Sequence, residues 1–341
     1  MKNEKRYIIE LENELRKNYG QYYTNICLNY AKKLLENNLP VIFDFEHLAL
    51  LLGIKGEKLA SLVYGKEELL YKKMFIPKKK GGTREIVIPN NNLKYTQKWI
   101  LDNILNYMKV SIYSKGFEKS KSILDNATVH LNQECIINMD LKDFFPSIKC
   151  DRVFRIFYYY GYTKEISFVL SKLCTYNGKL PQGSPASPKI ANIICLKLDK
   201  RISKLCEKYD AKYSRYADDI TISGKKGIET IIDIVTTIVE NEGFKINKNK
   251  TRVAYRNKRQ EVTGLNLNSG KVTVPREYKR KLMQEIYYCQ KYGVDNHLTY
   301  IKCEKAFYKE HLYGKAYYIN MIEPKSAKKV LDELGKINWE Y

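Results

Sequence analysis

Two adjacent aspartates, Asp218 and Asp219, interrupt a run that otherwise alternates like a half-buried strand, "KYSRYADDITISG" (212–224). Aspartate is a poor strand former, and neighbouring carboxylates repel each other. The run therefore folds as strand, turn and strand, with the aspartates at the corner, where aspartate is a favoured turn residue. A turn with no other task would use Asn-Gly or Asp-Gly. Two carboxylates instead concentrate negative charge, which a divalent cation can neutralise, and hard oxygen ligands suit Mg²⁺.

The rest of the chain is strongly cationic. Sixty Lys and Arg against 38 Asp and Glu give a formal net charge of +22 over 341 residues. Such an excess points to a polyanionic partner. An anionic membrane surface is the rival, but no apolar run has transmembrane length and no lipidation motif is present. The start, "MKNEKRYIIELENELRKN", lacks the apolar core of a secretory peptide, so a cytosolic location is expected. Eight cysteines lie scattered without a CxxC or CxxH pair, which favours free buried thiols over zinc or disulfides. The four histidines form no HExxH, and 29 tyrosines suit both a core and stacking on bases or sugars.

Patterning predicts a mixed α+β chain with helical ends. Residues 4–18 and 24–36 have helical spacing, and 45–64 reads as two short helices broken at Gly53. Strand-like "KKMFIP" and "REIVIP" flank the basic turn "KKKGGT", and 92–109 returns to helix. "ECIINMDL" (134–141) is a buried strand. Helices are expected at 151–175, 187–206 and 227–242, the last closed by Gly243. "EVTGLNL" and "KVTVP" suggest a hairpin around "NSG", and the pattern from 276 onward is helical. The absence of repeats and linkers makes these parts lobes of one enzyme.

A cation site needs a further carboxylate. In "INMDLKDFFPSI", Asp140 ends the apolar strand, the place from which a strand delivers a side chain to a site; a cap or turn role is the alternative. Two Mg²⁺ ions about 3.5–4 Å apart clamp the attacking and leaving oxygens of an in-line phosphoryl displacement. Asp140 and Asp218 would bridge them, with Asp219 a further ligand or charge partner. Lys80 and Arg84 of "PKKKGGTR" are candidates to grip a triphosphate, unless they are simply solvated.

These residues resemble a known family. "YADD" is similar to the YxDD box of reverse transcriptases, "DLKDFFPSI" to their first palm motif, and "LPQGSPASPKIANI" (180–193) to the LPQG-SP motif. The motifs occur in the family's order. "NATVH" (126–130) and "VTG" (262–264) further resemble elements of bacterial retron reverse transcriptases.

The resemblance implies a right-hand polymerase with an antiparallel palm sheet carrying the YADD hairpin and a helical thumb. Residues 1–70 would be an N-terminal helical extension of the fingers and 71–133 the fingers. Residues 134–255 would be the palm, with a fingers insertion near 150–180, and 256–341 a palm-edge hairpin and thumb. It implies RNA-templated DNA synthesis from dNTPs with two Mg²⁺ ions. Asp140, Asp218 and Asp219 are then the metal-binding acidic cluster. Phe144 falls where the family places an aromatic that excludes a 2′-OH, with core packing as the alternative. Asp143 sits at the sugar–triphosphate edge, and Gln182 and Gly183 lie against the incoming nucleotide. Lys250 is a cation near the pyrophosphate, or a solvated lysine, and Tyr216 contacts the primer end.

The retron likeness implies a cognate structured noncoding RNA that serves as template and primer, giving branched single-stranded DNA (msDNA) from a guanosine 2′-OH. It also implies an effector protein and a place in anti-phage defence. Asn126 and His130 would read that RNA from a loop, or act as a cap and a packed histidine. Thr263 and Gly264 would begin a strand near the thumb. Arg276, Lys279, Arg280 and Lys281 load the first turns of a helix with cations, against its dipole, as suits nearby phosphates. "KTRVAYRNKR" (250–259) adds charge suited to the phosphates and 2′-OH groups of an A-form duplex. The other readings are an RNA-binding scaffold that restrains an effector, with incidental polymerase activity, and a group II intron or abortive-infection type of reverse transcriptase.

Overall fold

The computed structural model describes residues 2–77, 81–302 and 306–339. They form two compact units that the chain visits alternately. The first takes Met1–Glu118, Leu141–Ile202 and Ile234–Asn247, and the second takes Lys119–Asp140, Ser203–Asp233 and Lys248–Tyr341. Strands in chain order are β1 (Tyr71–Pro77), β2 (Thr83–Pro89), β3 (Cys135–Asp140), β4 (Lys212–Tyr216), β5 (Asp219–Gly224), β6 (Arg252–Tyr255), β7 (Glu261–Val262) and β8 (Leu265–Asn266). Helices make up most of the remainder, so the chain is mixed α+β.

In the first unit, four helices spanning Lys2–Tyr64 lead into the antiparallel β1–β2 hairpin, paired from Tyr71↔Pro89 to Pro77↔Thr83. Tyr71, Val87 and Pro89 bury its base, while Lys72–Pro77 and Thr83–Glu85 are exposed. The helix expected over 151–175 is two helices, Cys150–Tyr160 and Lys164–Leu173. Gly161 ends the first at φ 112, a left-handed conformation that glycine adopts without a Cβ penalty. Thr163 starts the second by accepting a hydrogen bond from the Ile166 amide. Helical apolar spacing continues through the break and hides it. The stretch 187–206 is likewise split, into Ser187–Ile194 and Leu196–Lys208.

In the second unit, a four-stranded antiparallel sheet has the order β4-β5-β3-β6. β3 lies between two partners, and five of its six residues are buried, which explains its unbroken apolar run. Its one amide, Asn138, donates to the Glu261 carbonyl at 3.0 Å and accepts from Thr221 Oγ1 at 3.3 Å. Ile136, Val262 and Leu265 join a core with the helices Arg276–Tyr292, Tyr308–Ile322 and Pro324–Gly335 through Leu282, Leu312 and Val330. Each such side chain contributes roughly 1.5–3 kcal/mol by leaving water.

The expected hairpin around "NSG" is only partly present. Asn266 and Thr273 do bridge. The tight turn, however, falls earlier, where Thr263 (φ 46) and Gly264 (φ 80) join β7 to β8. These two residues therefore form a turn and do not begin a strand. Among the described residues no helix is long and apolar enough to cross a membrane. The described cysteines are free, and all but Cys150 are buried.

Candidate active site

The second unit holds an acidic corner. β3 and β5 pair so that Asp140 lies directly across from Asp219, and β4 and β5 pair Tyr216 with Asp219. Ala217 and Asp218 are thus the two residues of the turn. Cross-strand partners stand about 4.5–5.5 Å apart at Cβ, which brings two carboxylates together from positions 79 residues apart in sequence. The turn is held under strain, because Ala217 takes φ 56, a left-handed conformation unusual for a residue with a Cβ. Arg215 braces it. This side chain is fully buried, and its Nη1 donates to the Ala217 carbonyl at 2.9 Å. The sequence reading missed Arg215, and the available signal was a cation inside a strand otherwise fit for a core.

The electrostatics of the corner are those of crowded carboxylates. Asp219 keeps solvent-exposed surface at its edge. Even so, burial first, then the charges of Asp218 and Asp140, push its carboxyl up to about 6 against the opposing pull of Lys250. Lys250 donates its ammonium to Asp140 Oδ1, and that hydrogen bond raises its pKa above the ordinary lysine value. Among the described residues no three His, Cys, Asp or Glu side chains stand in metal-holding geometry; one oxygen of Asp140 is engaged by Lys250. In donor chemistry the three carboxylates suit a hard divalent cation, which would relieve the repulsion that raises Asp219.

Other candidates in the second unit divide into buried and exposed. Tyr216 is half-buried at the end of β4. Asn126 and His130 have no exposed surface. The His130 imidazole lies 2.7 Å from Ser223 Oγ and 2.7 Å from Ser214 Oγ, and Ser214 donates to Asn126 Oδ1 at 2.7 Å. The expectation of a loop whose Asn126 and His130 read RNA directly is corrected: both are packed against the β4–β5 hairpin. Lys279 is also reassigned. Glu323 holds its ammonium with both oxygens at 3.0 Å, tying the helix Arg276–Tyr292 to the helix Pro324–Gly335. Arg276 and Arg280 are exposed, as is Lys281, which pairs with Glu277 at 3.0 Å. Arg259, Lys271, Arg276 and Lys279 line a surface cavity of about 510 Å³.

The first unit carries the remaining candidates. Arg84 is exposed on β2, opposite Ile76, and Lys80 lies outside the described residues. Asp143 is exposed at φ 49, just before the short helix Phe144–Ser147. Phe144 is buried against Phe145 and Phe244, with ring centroids 5.3 and 5.8 Å away. The "LPQG" segment is pinned to β2, where the Val87 amide donates to the Gln182 carbonyl at 2.9 Å. Gly183 follows at φ 138, and a Cβ there would stand 2.5 Å from the Val87 carbonyl oxygen. This close approach explains why glycine occupies the position.

Comparison with known proteins matches residues 76–267 to the family described as reverse transcriptase (RNA-dependent DNA polymerase). The chain is 36% identical over 314 residues to the retron Ec86 reverse transcriptase of Escherichia coli, covering 91% of this chain and 94% of that one. It is 34% identical over 339 residues to the retron Mx162 reverse transcriptase of Myxococcus xanthus, covering 88% and 68%. A structure of telomerase from Candida albicans in complex with a telomeric RNA fragment aligns with a TM-score of 0.44 at 11% identity, covering 77% of this chain and 62% of that one. The family match, spanning more than half of the chain, and the extended retron identity make this chain a retron reverse transcriptase, an RNA-directed DNA polymerase.

Proposed function

We propose that the acidic corner of the second unit is the polymerase centre, and that this enzyme copies a cognate structured noncoding RNA into branched single-stranded DNA. The observation that carries the reading is the cross-strand pairing of Asp140 with Asp219 beside a turn that presents Asp218. Asp140 and Asp218 hold two Mg²⁺ ions, and Asp219 completes the charge. When bound, the ions neutralise the triphosphate and favour the ionised attacking hydroxyl. Lys250, kept protonated by Asp140, stands ready to give a proton to the departing pyrophosphate. Tyr216 supports the primer end. Lys80, Arg84, Asp143, Phe144, Gln182 and Gly183 receive the incoming dNTP, with Phe144 excluding a 2′-OH.

In this reading residues 1–70 extend the fingers, 71–133 are the fingers, 134–255 the palm, and 256–341 the palm-edge hairpin and thumb of a right-hand polymerase. Arg276 and Arg280, with the cation-lined cavity next to Arg276, contact RNA phosphates. The Thr263–Gly264 turn belongs to the same RNA-facing region. The partners are the cognate RNA, its RNA–DNA product and an effector of a defence system, all in the bacterial cytoplasm. The test is primer extension on an RNA template by Asp218→Asn. The reading expects loss of activity by at least about 10²-fold, the scale for removing a preorganised electrostatic group, and full activity would refute it.

A further inference from the structure

The Asn126–His130 pair remains to be explained, since neither side chain has any exposed surface. The spacing of four places both on one side of the helix Ile123–Thr128 and the turn that follows. A capping box fixes the start of that helix: the Ser122 hydroxyl accepts from the Asp125 amide, and the Asp125 carboxylate accepts from the Ser122 amide. The imidazole bridges Ser214 on β4 and Ser223 on β5. These serines are not direct partners. Ser214 pairs with Thr221 and Ser223 with Lys212, so the imidazole spans the ladder diagonally. Ser214 directs its single hydroxyl hydrogen to Asn126, so it accepts from His130. Nε2 of His130 therefore carries a proton toward Ser214, and Nδ1 faces the Ser223 hydroxyl.

Among the described residues β4 is an edge strand, paired with β5 alone. Asp219 is also held by the β5–β3 ladder, whereas Asp218 lies in the two-residue turn that joins β4 to β5, so its place depends on how those two strands pair. A one-residue slip of an edge strand turns every side chain to the opposite face. We infer that His130, with Asn126, is a positioning residue for polymerisation: it locks β4 in register on β5 and so fixes Asp218 in the catalytic corner. The inference rests on the proposed role of that corner.

The test compares the full-length wild type with His130→Ala, Ser214→Ala and Leu312→Ala, the last a core truncation in the same unit that serves as a stability control. Three quantities are read: kcat on saturating poly(rA)·oligo(dT), the half-saturating Mg²⁺ concentration, and the Kd for labelled RNA copurified with the wild type. The expected result is a fall in kcat of at least about tenfold for His130→Ala and about threefold for Ser214→Ala, a several-fold higher Mg²⁺ requirement, and an unchanged RNA Kd. Ser214→Ala changes little volume and carries the test if His130→Ala does not fold. A tenfold weaker RNA Kd with intact kcat would overturn the inference in favour of RNA reading. Effects no larger than those of Leu312→Ala would reduce His130 to packing. Asp218→Asn is assayed in parallel: activity there sinks the catalytic assignment, whereas an inactive Asp218→Asn beside a fully active His130→Ala sinks the strut alone.

Discussion

The protein has two antiparallel hairpins, β1–β2 and β4–β5, and they are built in opposite ways. β4–β5 is embedded. Ile220 and Ile222 are fully buried, β3 flanks β5, Arg215 holds the turn carbonyl, and His130 ties both strands. β1–β2 is a two-stranded sheet whose base is buried and whose outer half is open, with Phe75 61% exposed. Isolated two-stranded hairpins are marginally stable on their own. The difference fits the tasks proposed for them. Carboxylates that share cations need placement to a fraction of an ångström, whereas a cation such as Arg84 that meets a phosphate tolerates an exposed, less braced strand.

The largest expected effect tests whether the base of β1–β2 depends on its anchor. Gly183→Ala places a Cβ 2.5 Å from the Val87 carbonyl oxygen at φ 138. Backbone must shift there, which costs about 1–3 kcal/mol. We expect a lower melting temperature and a KM for dNTP raised by about tenfold or more, read by thermal unfolding and steady-state extension. Unchanged values would mean that the anchor is dispensable.

An intermediate effect concerns the embedded hairpin. The Asp219 carboxyl is raised in the folded protein, so its protonated form is the one folding favours. In chelator, that contribution is complete below the ordinary aspartate range near 4 and is lost as pH rises through about 6. Mg²⁺ offsets the repulsion of the ionised form, so the increase in melting temperature on adding Mg²⁺ should be larger at pH 7 than at pH 5. Equal increases would separate Asp219 from the metal. The smallest effect is at Arg84 on the exposed half of β2. Arg84→Ala should leave stability within about 0.5 kcal/mol, as exposed substitutions do, while raising the KM for dNTP a few-fold. A substantial loss of stability would show that this hairpin is braced like the other.

Much of this architecture was legible in the sequence, for identifiable reasons. The unbroken apolar run of β3 marked a strand with a neighbour on each side, and Asp140, the charge that ends that run, lies across from Asp219. Asp218 and Asp219 stood out because their charge contradicts strand propensity. The break at Gly161 was hidden because the apolar spacing of the two helices stays in phase across it. Thr263 and Gly264 were misplaced because a turn with a non-glycine residue at positive φ lacks the usual Asn-Gly signal. Asn126, His130 and Arg215 were hardest, since polar side chains suggest the surface until tertiary partners are seen. Lys279 looked like a phosphate contact because Glu323, its partner, lies 44 residues away.

The central claim is that Asp140, Asp218 and Asp219 jointly hold divalent cations at a nucleotide's phosphates. Mn²⁺ binding, measured by electron paramagnetic resonance with dNTP and a chain-terminated primer on RNA, tests it directly in the wild type, Asp140→Asn and Asp218→Asn. The account predicts tight binding in the wild type and its loss in both variants. Equal Mn²⁺ affinity in all three proteins would contradict it.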